Sequence, residues 1–251
     1  MSPVHPSAAV RISPSLRFTY VEQKLMPLYL LLSRPEQAPS MLAPAMSLRE
    51  LGDRMGPDCR LPSLVYPGQE HYYMQSPLWP GIMPDVDMNG PPFSCLMDPD
   101  DVRLQGLVER QVPRMWLSPK GAISPLHYDS HMSILTQVKG RKRLLLYRPQ
   151  DLRVLQPYPA WHILRRRCRV DPANPDYKRF PAFQKVAALE ALLQPGDSLI
   201  FPAKWAHHTE SLDSSISVTY RLGPARPATA RLAGVLRPYT ACHSVVRCLV
   251  A

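Results

Sequence analysis

Apolar and polar positions alternate in short blocks through the second half of the chain. "RMWLSP", just after Pro113, reads as a strand that turns at Lys120-Gly121. "SILTQVK" (133–139) and "KRLLLYR" (142–148) keep a period of two on either side of Gly140-Arg141, which predicts a pair of strands joined by a tight turn. "ALEALLQPGD" (188–197) stops at a Pro-Gly-Asp turn. "SLIFPAKWAHHTESL" and "SISVTY" read as two further strands about Asp213-Ser214. Short strands with turns every ~8–12 residues predict an all-β sandwich or barrel.

The rest of the chain has less period. "MSLRELGDRMG" (46–56) predicts one helix: Ser47 can cap it, Glu50 follows three later, and Gly56 can end it. Residues 60–100 carry prolines and aromatics and are expected to be loops with short elements. A long loop is expected from 149 to 183, holding "RRRCR" (165–169) and "VDPANPDYKRFPAF". The pattern divides the chain into a poorly ordered or divergent segment at 1–45, a domain at 46–222 and an irregular tail at 223–251. Within the first segment, one strand or short helix is expected near 22–33.

Composition narrows this picture. Thirty prolines among 251 residues disfavour a helical bundle and suit strands, turns and loops. A net charge of +10 favours acidic partners, whether an acidic protein, an RNA or an anionic cosubstrate. The five cysteines are odd in number and form no CxxC pair, which excludes a disulfide framework or zinc ribbon and points to reduced thiols inside the cell. "LMPLYLLL" (25–32) is too short to span a membrane, and no secretory signal pattern precedes it.

The candidate chemistry lies in "ISPLHYDSHMSILTQVKGRKRLLLYRP" (123–149). On a strand, residues two apart share a face, so His127 and Asp129 can present an imidazole and a carboxylate to one point. Alone, that pair does not separate a metal site from a turn aspartate beside a surface histidine. His207 and His208 change the balance, because a strand ending there can lie beside the first in an antiparallel barrel. Two histidines and a carboxylate with open positions form the facial triad of non-haem Fe(II) oxygenases. Only one of His207 and His208 can point inward. His131 lies too far along to join as a ligand. Lys142 shares the face of Leu144 and Leu146, and a lysine on an inward apolar face demands an anionic partner. A bound dicarboxylate would supply one.

In this order, His127-x-Asp129, Lys142, Pro-Gly-Asp, Phe201-Pro202, Trp205 and His207 resemble the JmjC (jumonji C), cupin-like oxygenases. The nearest are small protein hydroxylases of the jumonji domain-containing protein 5 type. "ISPLHYD", "QVKGRKRLLLYRPQ", "VDPANPDYKRFPAF" and "LQPGDSLIFPAKWAHH" each match a block of the family, over about 70–222. The resemblance implies a mainly β double-stranded β-helix, or jelly roll, with flanking helices and Pro-rich loops. It implies Fe(II) held by His127, Asp129 and His207, and 2-oxoglutarate as cosubstrate. It assigns the cosubstrate's distal carboxylate to Lys142 and Ser124, with Tyr72 as a further contact and Tyr73 as its alternative. Three positions depart from the nearest type. Ser133 stands where an Asn is common, the last core strand ends "VTYRL" where aromatics are usual, and no flanking strands are recognisable before about 46.

The function so implied is a dioxygenase that hydroxylates a protein side chain, with arginine among its targets and with succinate and CO2 as co-products. The alternatives are a histone N-methyl-lysine or N-methyl-arginine demethylase, a transfer-RNA hydroxylase, and a catalytically silent binding protein of the same fold. The expected partner is a protein or peptide, acidic or chromatin-associated, with RNA supported by charge alone. The expected compartment is the nucleus or cytoplasm.

Overall fold

The computed structural model describes residues 9–19, 40–44, 46–56, 59–66, 69–78, 113–224 and 246–248. In chain order these give β1 (Ala9–Ser13), β2 (Met41–Leu42), helix α1 (Leu48–Met55), β3 (His71–Pro77) and β4 (Arg114–Ser118). Next come β5 (Ile123–Tyr128), β6 (His131–Lys139), β7 (Lys142–Tyr147) and β8 (Leu189–Leu193). The last strands are β9 (Ser198–Phe201), β10 (Ala206–Ser211), β11 (Ser215–Pro224) and β12 (Val246–Cys248). Among the described residues the strands form two sheets. The larger runs β12-β9-β6-β11-β4-β3-β1-β2 and the smaller β5-β10-β7-β8. Apart from β12, which lies parallel to β9, neighbouring strands are antiparallel.

The inward faces of the two sheets make the main core. Leu135, Leu199 and Phe201 of the large sheet meet Leu144, Leu146 and Leu193 of the small one. In β7 the period of two is visible as burial: Lys142, Leu144 and Leu146 are buried, while Arg143 and Leu145 are half-buried. This is the all-β sandwich expected from the strand pattern, in the jelly-roll form that the family resemblance implies. Gly140 sets the turn between β6 and β7. Its φ is +69°, and a Cβ there would lie 2.5 Å from the carbonyl oxygen of Ser214. The arginines of this turn are satisfied at the surface: Arg141 forks onto Asp213 and Arg143 pairs with Glu190.

A second core joins α1 to the outer part of the large sheet. Ser47 caps the helix by accepting a hydrogen bond from the Glu50 amide (3.1 Å), and Gly56 ends it, as the sequence predicts. Leu51 packs with Val10, Ile12, Tyr72 and Met74. Arg54 donates to Glu50 and to the Tyr72 hydroxyl, which in turn donates to Glu70 (2.6 Å). Glu70 also accepts from the amides of Leu64, Val65 and Tyr66, so one carboxylate ties that loop to β3.

Four expectations need correction. Residues 9–13 are not irregular: "AVRIS" alternates, and β1 pairs antiparallel with β3, burying Val10 and Ile12. The element expected near 22–33 lies outside the described residues. "HYYMQSP" is a strand rather than a loop. "SLIFPAKWAHHTESL" is two strands, β9 and β10, in different sheets, because Pro202 lacks a backbone N–H donor and Lys204 turns at φ +66°. At the C-terminal side, β11 runs on to Pro224 and β12 adds a short strand beside β9. Among the described residues, no helix is long and apolar enough to cross a membrane.

Candidate metal centre and its cavity

β5 and β10 are neighbours in the small sheet, and their register sets His127 directly opposite His207, although 80 positions separate them in sequence. Their rings lie 4.2 Å apart, centroid to centroid. Asp129 follows the end of β5. Each of His127, Asp129 and His207 offers a ligand atom within 4.8 Å of the others. His208, the next residue, faces the other way, consistent with the period of two. It is buried with no partner for its Nδ1 among the described residues, and burial lowers its imidazole to about 4.

The donor set suits a divalent metal. The Nδ1–H of His127 donates to the Pro125 carbonyl (2.8 Å) and that of His207 to the Trp205 carbonyl (3.1 Å). Each ring therefore keeps its Nε2 lone pair free for a metal, with its orientation fixed from behind. Burial holds both imidazoles below their ordinary pKa and so neutral, with each ring's neighbours adding to or opposing it. Burial alone would raise the carboxyl of Asp129. The guanidiniums of Arg221 and Arg166 beside it favour the ionised form and hold the group below its ordinary pKa. Two neutral imidazoles and one ionised carboxylate are the ligand forms a metal requires.

The triad opens into a cavity whose walls include Ser124, Lys142, Thr209, Tyr73, Trp116 and Arg221. Its volume is about 80 Å³. Lys142 is 3 % exposed, and its ammonium donates to the Ser217 hydroxyl (2.5 Å). Burial lowers it to about 8, with no carboxylate beside it among the described residues to oppose the shift. A buried ammonium beside a metal triad fits one carboxylate of a dicarboxylic ligand whose other end reaches the metal.

Of the residues singled out from the sequence, the structure brings His127, Asp129, His207, Lys142 and Ser124 to one cavity. Tyr72 is not there. It lies on the opposite face of β3, its hydroxyl in the Arg54–Glu70 network and pushed up to about 12 by burial and Glu70. Its neighbour Tyr73 lines the cavity instead. Reading this segment as a loop hid the alternation that separates the two. Sequence reasoning also passed over Thr219 and Arg221, which line the cavity from β11, and Ser217 beneath Lys142. The signal was present as polar residues at every second position, 217, 219 and 221. Arg221 donates to the Oδ2 of Asp129 (2.9 Å), and Arg166 stands 3.8 Å from its Oδ1. "RRRCR", expected as part of a surface loop, runs along β5, with Arg167 bridged to His127 through the backbone.

Comparison with known proteins places this arrangement among relatives. A family described as a cupin-like domain matches residues 66–221. The chain is 35% identical over 136 residues to Lysine-specific demethylase 8 of Danio rerio, covering 53% of this chain and 31% of that protein. It is 40% identical over 107 residues to Jumonji C domain-containing protein 5 of Drosophila melanogaster, covering 43% and 26%. It is 36% identical over 108 residues to HSPB1-associated protein 1 of Homo sapiens, covering 41% and 22%. The chain thus spans a third or less of the length of these relatives.

Proposed function

Because the chain belongs to the cupin-like domain family, we propose that it is an Fe(II)- and 2-oxoglutarate-dependent oxygenase that hydroxylates a protein side chain. One observation carries this reading: a triad of two neutral histidines and a carboxylate shares a cavity with a buried lysine that has no carboxylate beside it. His127, Asp129 and His207 would hold the metal. Lys142, with Ser124 and Tyr73 on the same walls, would hold the cosubstrate. Fe(II) with 2-oxoglutarate and O2 supplies oxidation of a C–H bond to an alcohol, with succinate and CO2 as co-products. The protein orients the ligands through the Pro125 and Trp205 carbonyls. It keeps the Lys142 charge away from water, where its attraction to an anion is stronger.

A second reading draws on the names of relatives, two of which are called a demethylase and a Jumonji C protein. The same oxidation at an N-methyl carbon releases formaldehyde. Anaerobic calorimetry with Fe(II) and then 2-oxoglutarate tests the shared part, and an unbiased peptide screen by mass spectrometry tests the outcome. A gain of one oxygen marks a hydroxylase and loss of a methyl group a demethylase. Failure to bind 2-oxoglutarate in the presence of Fe(II) would sink both. Reduced thiols and Fe(II) suit the nucleus or cytoplasm as the working compartment.

A further inference from the structure

The geometry points to a substrate that carries a negative charge next to the oxidised carbon, with Arg221 as the residue that selects it. This rests on the oxygenase reading above and adds the class of side chain. Lys142 and Arg221 supply two positive charges to the cavity wall, and Asp129 the single negative one among its described lining residues. A divalent metal and a dianionic cosubstrate would cancel each other, so the loaded cavity stays positive. Two more arginines add to this. Arg166 stands 3.8 Å from Asp129, and burial together with the nearby Arg221 lowers the guanidinium of Arg114 below its ordinary pKa.

Arg221 is also only partly used. One guanidinium nitrogen donates to Asp129 at 2.9 Å. Its Nε is buried and has no hydrogen-bond partner among the described residues. A buried donor on a cation is satisfied best by an anion, through a charge-assisted hydrogen bond. A lysine, methyl-lysine or arginine entering the cavity would instead meet a guanidinium with its one carboxylate already engaged, and like charges in a desolvated site repel strongly. Aspartate or glutamate is the side-chain class that supplies such an anion to the positive wall. The arginine target implied by the family resemblance does not fit this charge.

The test uses the full chain with Mn(II) and 2-oxoglutarate under anaerobic conditions. Cosubstrate binding is measured first by calorimetry. Labelled Gly-Ser peptides centred on Asp, Asn, Arg or trimethyl-lysine, and a short single-stranded RNA, are then titrated by fluorescence anisotropy at two salt concentrations. The Asp peptide should bind at least ~10-fold more tightly than the Arg or trimethyl-lysine peptide. Arg221→Gln should bring that ratio within ~2-fold, Arg221→Glu should reverse it, and Arg221→Lys should keep it. With Fe(II) and O2, the Asp-centred peptide should gain one oxygen. Cosubstrate binding with equal or tighter binding of the cationic peptides, or with no binding of the Asp peptide, overturns the inference and leaves the oxygenase reading intact. A preference that survives Arg221→Gln removes Arg221 from it, and tighter binding of the RNA than of any peptide removes the side-chain substrate. Only the loss of cosubstrate binding takes the oxygenase reading down as well. If Arg221→Gln does not fold, the ranking of peptides by the wild-type protein still decides.

Discussion

At pH 7 the buried ammonium of Lys142 is still charged, with burial holding its pKa near 8 against an ordinary 10.5. That displacement corresponds to a destabilisation on the order of 3 kcal/mol, present in full below pH 8. Between the two values the unfolded chain binds more protons than the folded one, so the penalty fades as pH rises from 8 to 10.5. Burial pushes the Cys168 thiol up to about 12, which acts in the opposite sense above pH 9. The informative comparison is therefore between wild type and Lys142→Met. Without ligand, Lys142→Met should melt higher at pH 7, and the gap should narrow by pH 10. The same variant should lose at least ~10- to 100-fold in 2-oxoglutarate affinity, read by calorimetry, because the charged hydrogen bond is gone. Wild-type affinity should fall as pH rises above 8. Asp129→Ala should abolish metal-dependent 2-oxoglutarate turnover, measured as succinate. At this scale the sequence was most legible where alternation is clean. Lys142 could be placed inward because "KRLLLYR" keeps its period. Tyr72 and Tyr73 could not be told apart, because adjacent aromatics carry no phase of their own. The half-used guanidinium of Arg221 depends on a contact between strands that no local pattern contains.

β3 and α1 act as one unit through a shared polar network rather than through the candidate site. Tyr72→Phe removes the hydroxyl between Arg54 and Glu70 and leaves two charged groups with one partner fewer. It should lower stability by ~1–3 kcal/mol in denaturant melts while leaving 2-oxoglutarate affinity unchanged. A fall in affinity as large as that of Lys142→Met would return Tyr72 to the site. α1 was legible because capping is local: Ser47, Glu50 and Gly56 all act within a few residues. β4, β6 and β7 were legible because turns bound their alternation. β9 and β10 were fused in the reading because apolar residues flank Pro202 on both sides. β1 was missed because five alternating residues inside a Pro- and Ser-rich stretch become a strand only when β3 offers its edge.

At the scale of the whole molecule, the fold class followed from strand length and turn spacing, but the sheet order did not. Pairing of β5 with β10 and of β1 with β3 closes long loops, and only the tertiary fold repays that closure. The N-terminal strand gives a direct check. Deleting residues 1–13 removes Val10 and Ile12 from a core and strips β3 of a partner. Losing each of these side chains costs ~2–4 kcal/mol, so the truncated chain should melt well below the full one or fail to stay in solution. Unchanged melting would show that β1 contributes nothing to the stability of the sandwich.

The two sheets contribute different things to the cavity. His127, His207, Lys142 and Ser124 stand on the small sheet, with Asp129 just beyond β5. Tyr73, Trp116, Thr219 and Arg221 face them from the large one. A change on β3 or β4 can reshape what the cavity admits without touching the metal ligands, whereas β11 also holds Asp129 through Arg221 and Lys142 through Ser217. Such a layout lets a lineage exchange one target for another by a few substitutions on a single wall, while the machinery opposite is inherited intact.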